Sequence, residues 1–407
     1  MYPLPPYARR VECLESTGTQ WIDTGVGVAA NTRIVARWTQ MGVGVNQRLY
    51  GVNDGNPANM SLYINGGGAW ALALGTAAFQ LLPSAAVGDC TIDADLATGA
   101  YTFANGTQSA SGTAASTPFA STNIIPIFAR NTLGTIAYAD YPSTMRLAEF
   151  TIYYGSTPVR SFVPCRILDT GYLWDEVEGK FYGNQGTGDF VLGPDVREGV
   201  LPTRLNPFGI GRRMVDIKKI EYIEANANDG TAQYIDTLVP VTTDTIVEAE
   251  WTQTGTAIQQ RLFGVNDSSG KVFALYINSN RKWAVNTGAS AGGVMQDAML
   301  GDWSGSFNLG TGVCVLNGRS RSNGGTPFSS DNAIPIFARR NVGTPLYSDY
   351  PARMQLKSFK ITQGGRTAFD GTPVRIGSVG YLLDKVSGQL FGNLGTGSFI
   401  VGPDLLV

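Results

Sequence analysis

The chain of 407 residues carries 30 basic and 32 acidic side chains and contains no histidine. At about 150 residues per domain, this length predicts two or three domains. The net charge of -2 argues against a surface built to attract nucleic acid or anionic lipid. Without histidine, the sequence excludes Ser-His-Asp and Cys-His nucleophiles, His-ligated zinc and a near-neutral histidine acid or base.

The amino-terminal segment, residues 1–9, reads MYPLPPYAR and lacks the apolar stretch of a secretory signal. Its prolines favour an extended conformation, and we expect this segment to dock on a neighbouring protein. The most apolar stretch of the chain, Ala69–Phe79, has eleven residues and is too short to span a bilayer. We therefore expect no membrane partner.

Short alternating segments follow along the chain. RIVARWTQ at Arg33–Gln40 and TIVEAEWTQ at Thr245–Gln253 alternate polar and apolar residues with a period of two. This pattern predicts half-buried strands. No stretch of about 12 residues shows the apolar stripe of an amphipathic helix. The sequence therefore predicts a protein rich in short strands and without helices.

The two halves of the chain repeat one another. RLYGVND at Arg48–Asp54 returns as RLFGVND at Arg261–Asp267, and most of the segment Gly171–Asp195 returns at Gly380–Asp404. A repeat of this length is a whole domain rather than a solenoid unit. Together with the strand pattern, it predicts an all-β chain of two tandem antiparallel β-sandwich domains of jelly-roll type.

The repeats also set the predicted domain boundaries. Domain 1 covers residues 10–196 and domain 2 covers residues 218–407, with a basic linker rich in proline and glycine at residues 197–217. The spacing between matched residues changes twice along the chain. These changes predict four extra residues in domain 2 within Ala225–Ala232, and four fewer between Trp283 and Phe328.

Two motifs carry a resemblance to a known domain type. The opening segment VECLESTGTQWIDTG at Val11–Gly25 and the closing segments GKFYGNQGTGDF at Gly179–Phe190 and GQLFGNLGTGSF at Gly388–Phe399 resemble concanavalin A-like, laminin G-like lectin and glucanase domains. Such domains occur in bacterial surface proteins and in phage tail and capsid-associated proteins. The resemblance covers nearly the whole chain, and it implies a jelly-roll fold and carbohydrate binding.

Aromatic residues are candidates for glycan binding because ring faces stack on the apolar faces of sugars. The candidates are matched between the two copies, and core packing is the alternative role for each of them. They are Trp21, Tyr234, Trp70, Trp283, Tyr141 and Tyr350. A further tryptophan, Trp303, lies in a predicted unmatched loop.

The resemblance also implies one metal, a calcium ion at the rim of the sandwich. Calcium prefers six to eight oxygen ligands, which Asp, Asn and backbone carbonyl groups of a GVND loop supply. The candidate ligands are Asn53, Asp54, Asn266 and Asp267. Turn formation by these residues is the alternative. No other cofactor is predicted.

Catalysis would need paired carboxylates, because the glucanases of this fold place two glutamates on one face of a strand. The candidate pairs are Glu248 with Glu250 and Glu176 with Glu178. Neither pair recurs in the other copy, and neither region carries the third carboxylate of the family pattern. We therefore predict a protein that is not an enzyme.

The leading functional prediction is a structural protein of a phage virion, in a tail, fibre or capsid-decoration position, that displays lectin-like domains. It would assemble in the bacterial cytoplasm, contact other virion proteins, form a homo-oligomer and take a host surface glycan as its candidate ligand. The first alternative is a carbohydrate-binding adhesin on a bacterial cell surface. The second is a glycan hydrolase, because a fold by itself does not establish a function.

Overall fold

The computed structural model describes residues 1–55, 58–137, 143–196, 215–226, 232–267, 269–288, 293–341, 344–346 and 352–405. The chain divides into two compact units, Met1–Met214 and Val215–Val407. Their boundary falls inside the predicted linker, most of which lies outside the described residues. The described residues form no α-helix and therefore no helix that could cross a membrane.

The first unit is built from short strands, and β4 shows why they form: its side chains alternate between buried and more exposed positions along nearly its whole length. The strands are β1 Arg9–Arg10, β2 Leu14–Thr17, β3 Ile22–Val28, β4 Thr32–Gln40, β5 Arg48–Asn53, β6 Asn59–Ile64, β7 Trp70–Gly75, β8 Ala77–Gln80, β9 Gly88–Asp95, β10 Ala100–Asn105, β11 Gln108–Thr113, β12 Ser121–Ile127, β13 Arg130–Thr132, β14 Thr135–Ala137, β15 Thr144–Tyr154, β16 Thr157–Ile167, β17 Thr170–Asp175, β18 Lys180–Tyr182 and β19 Val191–Leu192.

The second unit repeats this series. Its strands are β20 Ile217–Lys219, β21 Ile223–Asn226, β22 Ile235–Val241, β23 Ile246–Gln253, β24 Arg261–Asn266, β25 Val272–Ile277, β26 Lys282–Gly288, β27 Gly293–Asp297, β28 Gly301–Asn308, β29 Val313–Leu316, β30 Arg319–Ser322, β31 Ser330–Ile336, β32 Arg339–Asn341, β33 Thr344–Leu346, β34 Arg353–Gln363, β35 Arg366–Ile376, β36 Val379–Asp384, β37 Leu390–Phe391 and β38 Ile400–Val401. The first of these strands begins at the last residue of the predicted linker.

Each unit contains two sheets with the same strand order. In the first unit, the larger sheet runs β11-β10-β9-β4-β15-β16-β17-β18, with β2 beside β15, β19 beside β2 and β1 beside β16. The smaller sheet runs β14-β13-β5-β6-β7-β8, and β12 joins β5 to β3. In the second unit, the larger sheet runs β30-β29-β28-β23-β34-β35-β36-β37. Its smaller sheet runs β22-β31-β24-β25-β26-β27, where β22 and β31 correspond to β3 and β12, and β32 joins β24 to β33 as β13 joins β5 to β14. The predicted all-β architecture of two tandem sandwiches is confirmed.

The core of each unit lies between its two sheets. In the first unit, Trp38 of the larger sheet meets Trp70 of the smaller sheet with ring centroids 5.7 Å apart. Tyr50 and Phe150 meet across the same interface at 6.0 Å. Such edge-on aromatic pairs bury large apolar areas, which is the main stabilising contribution in a sandwich of this kind.

One strand pair in each unit is parallel, although the sequence predicts antiparallel sheets. β13 runs parallel to β5, and β32 runs parallel to β24. The reversal follows a buried phenylalanine in the left-handed region, Phe128 or Phe337, each with a φ of 64°. Their N–H groups donate to the carbonyl groups of Leu49 and Leu262, and this bonding helps to hold the strained backbone.

The four residues that the second copy lacks are accounted for by one shorter hairpin. Phe103 on β10 pairs with Ala110 on β11, whereas the equivalent Leu316 on β29 pairs with Arg319 on β30. The connection between paired residues is therefore shorter in the second unit. The predicted insertion within Ala225–Ala232 lies largely outside the described residues.

Trp303 lies on strand β28 and not in the predicted unmatched loop. It pairs with Trp251, just as Cys90 pairs with Trp38 in the first unit. Its indole is buried among the core tryptophans of the second unit. In the first unit, Phe103 on β10 fills this part of the core. In the second unit, Trp303 on the neighbouring strand β28 fills it instead, so the two cores are packed differently.

The longer hairpin of the first unit delivers Asn105 to the core. Its Oδ1 accepts hydrogen bonds from Trp70 Nε1 at 3.1 Å and from the Ala86 N–H at 2.8 Å. Its Nδ2 donates to the Ala86 carbonyl group. The second unit lacks this residue, and Trp283 Nε1 has no hydrogen-bond partner among the described residues.

Replacing Asn105 by alanine should lower the free energy of unfolding of the first unit by about 2 kcal/mol, because buried donors then lose their acceptor. Calorimetry of the full chain measures this change. Ser109→Ala is the matched control, since Ser109 is exposed on the same hairpin. Equal stability of the Asn105→Ala variant and the wild type would contradict the structural role of the amide.

The amino-terminal segment packs on its own unit. The Tyr2 N–H donates to the Glu176 carbonyl group at 2.6 Å, and Trp174 Nε1 donates to the Tyr2 carbonyl group at 3.1 Å. The Tyr7 ring lies 6.2 Å from the ring of Phe181. The segment predicted to dock on a neighbouring protein therefore makes these contacts within the first unit.

Candidate functional site

The aromatic candidates for glycan binding that the structure describes are core residues. They are Trp21, Tyr234, Trp70 and Trp283, and each is at most 8% exposed. A ring whose faces are covered by protein offers no platform to a sugar, so the glycan-binding assignment of these four is corrected to core packing. The remaining candidates, Tyr141 and Tyr350, lie outside the described residues.

The candidate calcium ligands of the first unit form a turn. Asn53 Oδ1 accepts from the Gly55 N–H at 3.1 Å, and Asp54 Oδ1 accepts from Asn123 Nδ2 at 2.5 Å. One oxygen of each side chain is therefore already hydrogen-bonded, that of Asn53 within the loop and that of Asp54 to strand β12. The described residues contain no cluster of three or more acidic, cysteine or histidine side chains that could hold a metal ion.

The candidate ligands of the second unit are arranged differently. Asp267 accepts hydrogen bonds from the Ser269 hydroxyl and from the N–H groups of Ser269 and Lys271. Burial acts to raise the pKa of its carboxyl group, but these bonds and the nearby Lys271 outweigh it and lower the pKa. Asn266 Oδ1 is buried without a hydrogen-bond partner among the described residues. One such oxygen falls well short of a calcium shell, so calcium binding stays a prediction.

The two candidate carboxylate pairs lie in different settings. Glu248 and Glu250 are exposed on the outer face of β23, and Glu248 lies 3.7 Å from Lys360 Nζ. Glu176 and Glu178 lie in the turn between β17 and β18, where Glu178 is bound by neighbouring side chains. The first pair is therefore the more exposed of the two.

A groove of polar character lies on the outer face of the larger sheet of the first unit. We call it the sheet groove; its volume is about 450 Å³. Its residues alternate along β2, β4 and β15 with core-facing ones, and β19 closes one side. The lining residues are Glu12, Cys13, Glu15, Arg37, Thr39, Arg146, Ala148, Val191, Leu192, Gly193 and Pro194.

Ion pairs position the charged side chains of the sheet groove. Arg146 Nε donates to Glu15 Oε2 at 2.6 Å, and an Arg37 Nη donates to Glu149 Oε1 at 2.9 Å. Hydrogen bonding to these carboxylates raises the pKa of both guanidinium groups. Each arginine is about half exposed, so its remaining N–H donors are available to a ligand.

The equivalent surface of the second unit has other side chains. Tyr222 occupies the position of Cys13, and its ring lies against Gly402, the counterpart of Gly193. Glu250 replaces Arg37 and Gln355 replaces Arg146 in the matching strand register. The surface has thus lost the guanidinium donors of the first unit and has gained an aromatic ring.

A second polar feature of the first unit is a buried charge cluster. Arg160 Nη1 lies 2.7 Å from Glu178 Oε1, and Arg160 Nε donates to the Thr24 carbonyl group at 2.8 Å. The Tyr182 hydroxyl donates to Glu178 at 2.8 Å. Asp175 is fully buried, and burial raises the pKa of its carboxyl group despite hydrogen bonds from two backbone N–H groups and the nearby arginine.

The second unit stabilises its equivalent aspartate without an arginine. Phe369 stands in place of Arg160, and it packs edge-on against Phe391 at 5.3 Å. Asp384 accepts hydrogen bonds from backbone N–H groups and from the Ser387 hydroxyl. Because Arg160 and Asp175 of the cluster are buried inside the fold, we interpret it as structural.

Sequence reasoning missed the sheet groove. Its binding candidates were positions matched between the copies, whereas Cys13, Arg37 and Arg146 of the groove differ from their counterparts in the second unit. The available signal was the contrast between Cys13 and Tyr222 and between Arg37 and Glu250, at aligned positions of matched strands.

Comparison with known proteins adds fold-level likeness only. No protein-family model matches the chain, and no curated protein matches it. Among solved structures, the chain is similar to domains LG4-5 of the mouse laminin alpha1 chain, with 12% identity, coverage of 99% of this chain and 96% of that chain, and a TM-score of 0.28.

Two further solved structures show comparable likeness. The LG1-3 region of the laminin alpha2 chain matches with 7% identity over 97% of this chain and 66% of that chain, at a TM-score of 0.28. A Trypanosoma rangeli sialidase matches with 10% identity over 77% of this chain and 64% of that chain, at 0.27. Laminin G domains are thus among the structures that this chain resembles, and the jelly-roll assignment stands on the strand order of each unit.

Proposed function

We propose that this protein is a non-enzymatic, glycan-binding structural protein of a phage virion, in a tail, fibre or capsid-decoration position. The sheet groove is the observation that supports glycan binding. Its volume lies within the range of small-molecule sites, and its arginine and glutamate side chains supply the donors and acceptors that sugar hydroxyls need.

The virion setting is supported by the opening and closing motifs, which resemble domains of phage tail and capsid-associated proteins. All four cysteines are free, as expected for assembly in a reducing bacterial cytoplasm. Mass spectrometry of purified virions from the source should detect the chain. Its recovery from the cell-surface fraction instead would favour the bacterial adhesin.

Binding without hydrolysis is the second part of the proposal. The chain has no histidine, and the Glu178 carboxylate is held by Arg160 and Tyr182. We expect the purified chain to leave laminarin, mucin glycans and bacterial capsule intact in a reducing-end assay. Release of reducing ends that Glu248→Gln or Glu250→Gln abolishes would establish the glycan hydrolase instead.

A further inference from the structure

We infer that the two units have diverged in function, so that the sheet groove of the first unit binds an uncharged, hydroxyl-rich glycan while the second unit serves as scaffold. The side chain at position 13 determines whether the groove is open. The first unit has a cysteine there, which leaves the groove open, and the second unit has Tyr222 at the matching position, whose ring fills it. This inference rests on the proposed glycan-binding function, and it names the site, the unit and the ligand class.

Two lining positions of the groove carry larger side chains in the second unit: Tyr222 in place of Cys13, and Lys357 in place of Ala148. Cys13 and Gly193 stand side by side in the wall, and the Gly193 N–H donates to the Cys13 carbonyl group at 2.9 Å. The second unit keeps this backbone bond, between Gly402 and Tyr222, at the same 2.9 Å. The backbone frame is therefore the same, and the tyrosine ring takes space that the smaller thiol leaves to a ligand.

The two guanidinium groups of the groove are present in the first unit alone; the second unit carries one ammonium group, Lys357, at the position of Ala148. Among the described residues, Arg37 and Arg146 each make one side-chain hydrogen bond, and each guanidinium group carries five N–H donors. In the second unit, Gln355 donates to Glu224 at 3.0 Å in place of the arginine bond. A glycan that depends on both guanidinium groups therefore finds them only in the first unit.

The charge balance of the groove indicates the ligand class. Two glutamates, Glu12 and Glu15, and two arginines, Arg37 and Arg146, line it, so their charges cancel. No aromatic ring is among the lining residues, so binding relies on hydrogen bonds rather than on stacking. Sugar hydroxyls both donate and accept hydrogen bonds, so they match a lining of arginines and glutamates. A polyanion is repelled by the two carboxylates.

The second unit shows that a tyrosine fits at this position without disturbing the fold. Gly193 has its counterpart in Gly402, where the ring of Tyr222 comes so close that a Cβ atom on the glycine would lie about 3 Å from it. Because the first unit carries a glycine there as well, Cys13→Tyr should close the groove and leave the sandwich intact.

The test uses the full chain on an array of neutral saccharides, such as dextran, mannan and N-acetylglucosamine oligomers, with dextran sulfate and polysialic acid as anionic members. Calorimetric titration with the tightest neutral member then compares variants. We expect Cys13→Tyr to weaken binding by about tenfold or more, and Arg146→Gln to weaken it similarly. Tyr222→Cys, a change in the second unit, should bind within about twofold of the wild type.

Each outcome has a distinct meaning. Neutral binding that Cys13→Tyr abolishes, with an unchanged unfolding temperature, supports the inference. Neutral binding that Cys13→Tyr leaves intact, or that Tyr222→Cys alters, overturns the inference and leaves the proposed function in place. Binding of the anionic members alone overturns the ligand class. Binding to no saccharide overturns the proposed glycan-binding function itself.

Thiol labelling gives an independent readout. Cys13 is partly exposed, and the other three cysteines are buried. Partial burial raises the pKa of the Cys13 thiol, so maleimide labelling is run at mildly alkaline pH. The bound neutral saccharide should slow the labelling of Cys13. Unchanged labelling under saturating saccharide would place the ligand elsewhere and overturn the assignment.

Discussion

Replacing Arg160 by methionine is expected to lower the free energy of unfolding of the first unit by about 3–5 kcal/mol at neutral pH, because it leaves the buried Asp175 carboxylate without the nearby cation. The Asp175 Oδ2 atom lies 3.6 Å from Arg160 Nε, and Glu178 lies 2.7 Å from the same guanidinium group. Calorimetry of the full chain at neutral pH measures the loss.

The loss of stability in the Arg160→Met variant should be larger at neutral pH than in acid. Burial acts to raise the pKa of Glu178, but the Tyr182 hydroxyl, Arg160 and Lys180 outweigh it and lower the pKa below the ordinary 4.5. A lowered folded-state pKa contributes stability above 4.5 that is lost as the pH falls through the folded-state value. Without Arg160, this contribution shrinks.

The contribution of Asp175 to stability changes with pH in the opposite direction, since burial raises its pKa above the ordinary 3.8. Its contribution is fully present below 3.8 and is lost as the pH rises through the higher folded-state value. Removal of Arg160 should raise this pKa further and increase the penalty at neutral pH. The difference between wild type and variant should therefore shrink as both carboxyl groups become protonated in acid.

The matched control lies at the equivalent position of the second unit. Phe369→Met removes aromatic packing and no charge, so its loss should not depend on the protonation of a cluster of this kind. The Arg160→Met effect would be explained by packing alone if it were the same at neutral and acidic pH. That result would contradict the electrostatic role of the cluster.

Replacing Cys90 by tryptophan should destabilise the first unit by about 3 kcal/mol, because it overfills a core that already contains Phe103. The rings of Trp70 and Phe103 lie 5.3 Å apart. Asn105 Nδ2 approaches Cys90 Sγ at 3.2 Å, so a larger side chain also displaces the amide that bonds Trp70. Calorimetry of the full chain measures this loss.

The second unit supplies the compensating change, because it carries a leucine, Leu316, where the first unit has Phe103. Adding Phe103→Leu to the Cys90→Trp variant should recover about 1 kcal/mol or more, since neighbouring substitutions in one core are coupled. Additive losses in the double variant would show that the two positions do not share one volume. The reverse change, Trp303→Cys, should cost about 3–5 kcal/mol through the cavity it leaves.

The fold was predictable from sequence because its signals are local and repeated. Alternation along segments such as Arg33–Gln40 places one face of a strand in the core, and the repeat reports the same placement twice. The reversal at Phe128 was not predictable, because a left-handed phenylalanine has no local signature and is held by distant packing and by a bond to Leu49.

The residues of the candidate site could not be predicted from local sequence patterns. Retention of an aromatic residue in both copies is what a shared core requires, and Trp70 and Trp283, which were candidates for glycan binding, are core residues. The sheet groove combines residues of β2, β4, β15 and β19, which are far apart in the chain. Its ion pair between Glu15 and Arg146 joins residues whose proximity no local pattern encodes.

The sequence by itself determined the all-β class, the duplication and the absence of histidine chemistry, because composition, periodicity and self-similarity are properties of the chain alone. Only the tertiary structure decided which polar residues share a surface and which aromatic rings are covered. Strand pairing brings Glu15 opposite Arg146, and it places Trp303 opposite Trp251 in a core. Those neighbours depend on sheet register, which the packing of the whole sandwich selects.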